Sequence, residues 1–146
     1  MRIHAIVVTI FLVLHHSVAL IHGGVHNELN ILLTPTQDLF VNVVLVLLPI
    51  IAVVLVWTRF ASIGLFVLML CMASSLVFDV YYHYIFISPD NIAHLPHGTT
   101  EQHSRFRGTA DALALLQVVG AVVAAYLLGR QWHFQAAPNR NAVSGT

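Results

Sequence analysis

An all-α, integral membrane four-helix bundle with cytoplasmic termini is predicted by three observations. Four long apolar runs cover the chain: Ile3–Ile21, Leu39–Trp57, Phe60–Ile87 and Ala112–Leu128. Each is near or above the roughly 20 residues needed to cross a hydrocarbon core about 30 Å thick. The composition is 58% hydrophobic and 8% charged over 146 residues, against about 25% charged for an ordinary soluble domain. The six basic residues, all arginine, are split unevenly by four spans. Arg2, Arg59, Arg130 and Arg140 fall on the side of the termini, and Arg105 and Arg107 on the other. Short loops rich in basic residues stay inside, so both termini are expected in the cytoplasm. That orientation fits a multi-pass protein of a bacterial or archaeal inner membrane. The lipid bilayer is then the first partner. No basic cluster suggests nucleic acid.

The expected spans are residues 3–22, 38–57, 60–87 and 110–129, with outer loops 23–37 and 88–109 and a disordered cytoplasmic tail at 131–146. The first span starts at a short basic end, Met1-Arg2, and is expected to stop at Gly23-Gly24, since glycine pairs leave helical geometry cheaply. Its start also resembles a signal peptide, with Ser17-Val18-Ala19 as a small-x-small site. His15 and His16 interrupt that pattern and apolar residues resume after it, so a retained helix is the stronger reading. Val25–Leu33 is expected as an outer segment. The second span has a clear start: Thr34 as N-cap, Pro35 in the first turn and Gln37 completing a capping box. Pro49 should kink it. Arg59 marks a tight turn to the third span, whose outer third becomes polar: Asp79, Tyr81, Tyr82, His83, Tyr84. Ser88-Pro89-Asp90 is a helix-start signal, so one or two turns are expected before Pro96. Thr99 and Gln102 form a second capping pattern, from which a helix could run into the fourth span. There Ala110, Ala114, Ala121 and Ala125 lie near one stripe of small residues that favours close helix approach.

Ten histidines and six carboxylates are the chemical content of the chain. All six carboxylates, and most of the histidines, fall on the expected outer side. His4, His15, His22 and His26 lie within roughly 40° of each other on an ideal helix. His22 and His26 have the i, i+4 spacing that brings two imidazoles from one helix to a metal. His15 should lie roughly 10 Å below the outer boundary, where a polar ring needs a partner or a cofactor. Asp79 and His83 repeat the i, i+4 spacing on the third span. Asp79 is the carboxylate placed inside a span; it is read as a metal ligand, as a base holding a ligating histidine, or as an interhelical hydrogen-bond acceptor. His94, His97 and His103 form a looser outer-loop set. Asp111 is expected beside Arg107, one turn earlier.

These residues imply a polar, histidine- and aspartate-lined outer pocket. The expected metal ligands are His22, His26, Asp79 and His83, with His15 beneath as a cofactor contact. His94, His97, His103 and Asp111 are the supporting or loop residues. Nitrogen and oxygen donors without thiolate suit Zn, Cu(II), Fe or Mn. The leading expectation is a metal-binding membrane protein, or an accessory subunit of a metal-dependent membrane complex. A haem- or quinone-binding redox component is the first alternative, and a structural subunit with no ligand the second. A membrane-protein partner or a homo-oligomer fits each of these. Metal-activated hydrolysis is weaker, because no acid–base set is defined. No nucleophile elbow, His-Glu-x-x-His, Cys-x-x-Cys or phosphate-binding glycine loop occurs. Cys71 stands alone, so no disulfide forms within the chain.

Overall fold

The computed structural model describes residues 2–136, and among them it is all helix, turn and loop. Four helices are long and apolar enough to cross a membrane: Arg2–Glu28, Pro35–Val56, Ala61–Ile85 and one that starts at Thr100 and runs to Ala136. The two longer connections gather at one end of the molecule, called here the histidine end. The fourth helix packs on the third and the first, and the second packs on the third and, along Leu48–Val56, on the first. The four thus close a ring.

The first helix does not stop at Gly23-Gly24 but continues to Glu28. Val25 is fully buried beyond the glycines, and His22 and His26 both pack on Phe106. Those contacts outweigh the roughly 1 kcal/mol that each helical glycine costs relative to alanine. The chain turns instead at Asn30, whose φ of 55° is the left-handed conformation that asparagine tolerates. The second helix starts as its sequence predicts. The Thr34 side chain accepts from the Gln37 backbone, and the Gln37 side chain accepts from the Thr34 backbone. Pro49 acts through a π-helical segment, Val41–Leu47, immediately before it. The wide turn accommodates a ring that lacks an N–H and would crowd the preceding turn. A second π segment, Tyr81–Ile85, ends the third helix and carries His83.

Residues 88–94 form successive turns rather than helix. The Asn91 side chain accepts from the Ala93 backbone and donates to the Phe86 carbonyl, which competes with helical pairing. Thr99 and Gln102 make the second reciprocal cap. The fourth helix passes the expected end of its span and reaches Ala136; Arg140 and the rest of the expected tail lie outside the described residues. Its buried stripe is Ala110, Leu113, Gln117, Gly120, Ala124 and Leu127. This is rotated from the predicted alanine stripe, and Ala125 is exposed. The rotation turns Gln117 inward onto Asp79.

The interior is divided. Toward the termini lies an apolar cluster that includes Val8, Leu12, Ala52, Val56, Leu68, Met72 and Leu127. Gly64 and Gly120 allow its close contacts. A Cβ at Gly64 would meet the Ala52 carbonyl at 2.5 Å, and one at Gly120 would meet the Phe11 ring at 2.5 Å. A smaller cluster of Val25, Leu29, Ile31 and Phe106 closes the histidine end. Between them polar side chains are buried, His15, His22, Ser75, Asp79, His83 and Gln117, beside the apolar Leu45, Ala110 and Leu113.

Candidate metal centre

Three imidazoles from two helices meet under Phe106. His22 and His26 project from one face of the first helix, and His83 comes from the π turn of the third. His22 Nε2 lies 3.1 Å from His83 Nε2 and 3.1 Å from His26 Nε2. One donor atom from each ring falls within 4.8 Å of the others. Phe106, fully buried, walls the group, with its ring centre 4.8 Å from His22, 5.1 Å from His26 and 5.6 Å from His83. The His22 and His83 side chains are buried, and that of His26 is 12% exposed.

A carboxylate from the loop approaches two of these rings. Asp90 Oδ1 lies 3.1 Å from His26 Nε2 and 3.2 Å from His83 Nε2. Those distances are short enough for ion pairs, yet Oδ1 has no aligned hydrogen-bond donor. Which ring nitrogens carry hydrogen decides whether either contact is a hydrogen bond. Burial alone would raise the Asp90 carboxyl, but hydrogen bonding and charge from His26 and His83 outweigh it and hold the group well below the usual carboxylate range. The same two contacts favour the carboxylate form of Asp90. A buried anion among imidazoles requires a positive charge beside it, either a ring proton or a cation.

The hydroxyl of Thr109 sets the tautomer of His22. Its hydrogen goes to a backbone carbonyl, that of Arg105 at 2.8 Å or Phe106 at 3.0 Å. The oxygen must then accept from His22 Nδ1, 2.8 Å away. A neutral imidazole carries one hydrogen, so with Nδ1 protonated the Nε2 of His22 presents a lone pair to the centre. A ligating histidine is typically held in this way, its second nitrogen donating to an oxygen.

The other predicted residues divide. Asp79 lies one turn from His83 but outside the three-histidine group; its carboxylate accepts from Gln117 Nε2. It is 3% exposed, and it lines the same cavity as the histidines. His15 is fully buried, stacks near Phe11 and approaches His16, with Nδ1 atoms 3.5 Å apart. It stands two turns toward the termini from His22 and is not among the grouped donors. His94 and His97 are exposed. His103 reaches the Pro96 carbonyl at 2.9 Å and so pins the loop. Asp111 accepts from Tyr84 rather than pairing with Arg107, whose guanidinium donates to the Ile92 carbonyl at 3.1 Å. Arg107 and Asp111 share the fourth helix, but the loop and the third helix offer each a nearer partner.

The sequence alone does not single out Asp90, Thr109 and Gln117 as site residues. Gln117 is an amide inside an apolar run, a signal comparable to that of Asp79. Asp90 follows His83 by seven positions across a turn, and no periodicity reports that return. Comparisons with known protein families, with characterised proteins and with solved structures found no match to this chain.

Proposed function

We propose that this chain is an integral membrane protein that binds a transition metal through His22, His26 and His83, with Asp90 as the fourth donor. The observation that carries the reading is the group of three imidazole nitrogens within 4.8 Å of one another, with the Asp90 carboxylate against two of them. Four of their separations are 3.1, 3.1, 3.1 and 3.2 Å. Ligands about 2.0–2.1 Å from a tetrahedral zinc stand about 3.3–3.4 Å apart, close to these four separations. The protonated Nδ1 of His22 supports the same reading. Three nitrogens and one oxygen suit Zn, Cu(II), Fe or Mn.

The exposed apolar surface supports membrane insertion. Ile10, Leu20, Ile63, Val77, Ile85, Leu115 and Val122 are each more than half exposed, a surface that water would not tolerate over four helices. The arginine split supports termini inside and the histidine centre near the outer face of the membrane. There it would handle a metal, or serve a larger membrane complex as its metal-bearing subunit. Haem is less well served, because the three rings point at one another and at Asp90 rather than across a porphyrin-wide gap.

Elemental analysis of protein purified in mild detergent, beside His22→Ala and Asp90→Ala, tests the reading. About one equivalent of one metal in the parent and a large loss in both variants is expected. A metal-free parent that also fails to bind added zinc, copper, iron or manganese would leave the structural-subunit reading in its place.

A further inference from the structure

The first and second helices touch near the termini, where Trp57 Nε1 donates to Thr9 Oγ1 at 3.0 Å. Halfway along, His16 Nε2 still reaches the Val46 carbonyl at 3.3 Å. Beyond that contact lies a cavity of about 640 Å³, and His22, His26, His83 and Asp90 all line it. On another side the three rings face Phe106, which is fully buried and packs with Val25 and Leu29. The buried donors therefore reach the surface through the cavity. Its mouth has two lips. Leu20 and Leu32, 78% and 89% exposed, form an apolar one that would face lipid. Asn27 and Asp38, also exposed, form a polar one where the first helix ends and the second begins. Asn27 directly follows His26, whose side chain is 12% exposed.

Charge selects what can pass. The lining holds three carboxylates, Asp38, Asp79 and Asp90, and no arginine. With its imidazoles neutral, as ligation requires, the cavity is negative before any ion arrives. Such a cleft concentrates cations and excludes anions. The inner end defines the kind of cation. Asp90 is 5% exposed, and its Oδ1 lacks an aligned hydrogen-bond donor. His22 Nε2 presents a lone pair to the same group, because its Nδ1 is held by Thr109. Imidazole nitrogens beside a carboxylate oxygen suit a divalent transition metal. At the outer end Asp38 is bonded within its own helix, its Oδ1 accepting from Asn42 Nδ2 at 3.1 Å.

We propose that this cavity is the path by which the metal ion reaches and leaves the histidine centre, passing the polar lip, with Asp38 as the carboxylate that captures it. The assignment rests on the metal reading above and adds a path and a capture residue outside the donor set. Two neighbouring glycines give matched probes of the path. A Cβ built on Gly23 or on Gly24 meets nothing within 4 Å, but Gly23 lines the cavity and Gly24 does not. Gly23→Leu therefore narrows the path, and Gly24→Leu makes the same chemical change outside it.

The test uses the full chain in nanodiscs of neutral phospholipid, with cobalt(II) as the probe. Stopped-flow absorption follows the ion as it binds and as a chelator removes it. Gly23→Leu should slow association and dissociation by the same severalfold factor and leave the equilibrium affinity unchanged, because both directions use one path. Gly24→Leu should follow the parent. Asp38→Asn should slow association about three- to tenfold at low ionic strength, and the difference should shrink in about 1 M salt, where charges are screened beyond about 3 Å. Glu101→Gln removes an exposed carboxylate that does not line the cavity, and it should leave association within about twofold of the parent. If the parent binds cobalt or zinc but Gly23→Leu exchanges it no more slowly than Gly24→Leu, the path is wrong while the metal reading stands. If Asp38→Asn slows association no more than Glu101→Gln, the capture role is wrong. A parent that binds neither metal refutes the metal reading and the path with it.

Discussion

Replacing Thr109 by valine removes one oxygen that touches no metal, and it should weaken metal binding. Thr109 Oγ1 lies 2.8 Å from His22 Nδ1 and spends its own hydrogen on a backbone carbonyl of its helix. Valine keeps the shape but offers no acceptor. The Nδ1–H of His22 would then be buried and unpaired, a state that costs about 1–3 kcal/mol. The ring can escape by moving its hydrogen to Nε2, which takes the lone pair away from the centre. Either way the metal-bound form loses what Thr109 supplied. Loss of such a supporting acceptor lowers metal affinity by about 10–100-fold, equivalent to about 1.4–2.7 kcal/mol. Competition for zinc against a chromogenic chelator, in detergent at neutral pH, measures the change. Thr109→Ser retains the oxygen and should recover most of the affinity. Histidine ¹⁵N shifts of the metal-free protein give an independent readout, with the Nδ1-protonated tautomer of His22 lost in the valine variant only. If Thr109→Val binds zinc as tightly as the parent while remaining folded, the tautomer argument is wrong.

Four further outcomes are expected. Asp79→Asn should change metal affinity by less than about threefold, because its carboxylate faces Gln117 rather than the grouped donors; a larger fall in a chelator titration would return Asp79 to the centre. Gln117→Leu should destabilise the protein by about 1–3 kcal/mol by stranding the Asp79 carboxylate, and the double variant with Asp79→Leu should recover part of that loss in detergent unfolding. Lowering pH from about 7 to 5 should weaken zinc binding steeply, since imidazole must be neutral to ligate and its ordinary value is about 6.5; Asp90, held anionic, should not contribute to that slope, and affinity that is flat over this range would contradict histidine ligation. Gly64→Ala should destabilise by about 1–3 kcal/mol, because its methyl would meet the Ala52 carbonyl, whereas Gly24→Ala meets nothing and should stabilise by up to about 1 kcal/mol. Thermal unfolding of the two alanine variants side by side distinguishes them.

The sequence made the helices legible because a long apolar run has few alternatives, and the two capping boxes fixed where two of them start. It placed His22, His26 and His83 together for a related reason: the i, i+4 spacing and a similar depth survive most ways of packing four helices. It misjudged Gly23-Gly24, where local preference pointed to a break and burial of Val25 beside His22 and His26 overruled it. It also grouped Asp79 with His83. Residues four apart share a face but differ in height by about 6 Å, and which neighbour each meets is decided by the opposite helix. Gln117 claims Asp79, which no spacing within the third helix reveals. Asp90 was out of reach for another reason, since it arrives through a loop whose path is set by the Asn91 hydrogen bonds and the Ile92 amide on the His83 carbonyl at 2.9 Å.

The same loop contact falls on the π segment at Tyr81–Ile85. In a π turn the N–H pairs five residues back, as Phe86 does with the Tyr81 carbonyl at 2.7 Å. The helix ends at Ile85, so the His83 carbonyl, one of its last four, is free to accept from the Ile92 amide. One residue is thereby held at both ends: its backbone anchors the loop that carries Asp90, and its ring faces His22. The loop cannot shift without moving both donors together. Side chains on a rigid helix and a donor on a loop normally differ in positional precision, and this shared anchor ties the loop donor to the helix. The Tyr81–Ile85 turn is therefore where a change distant from every donor atom should still alter the centre. Such π turns recur at functional sites, and this one carries His83.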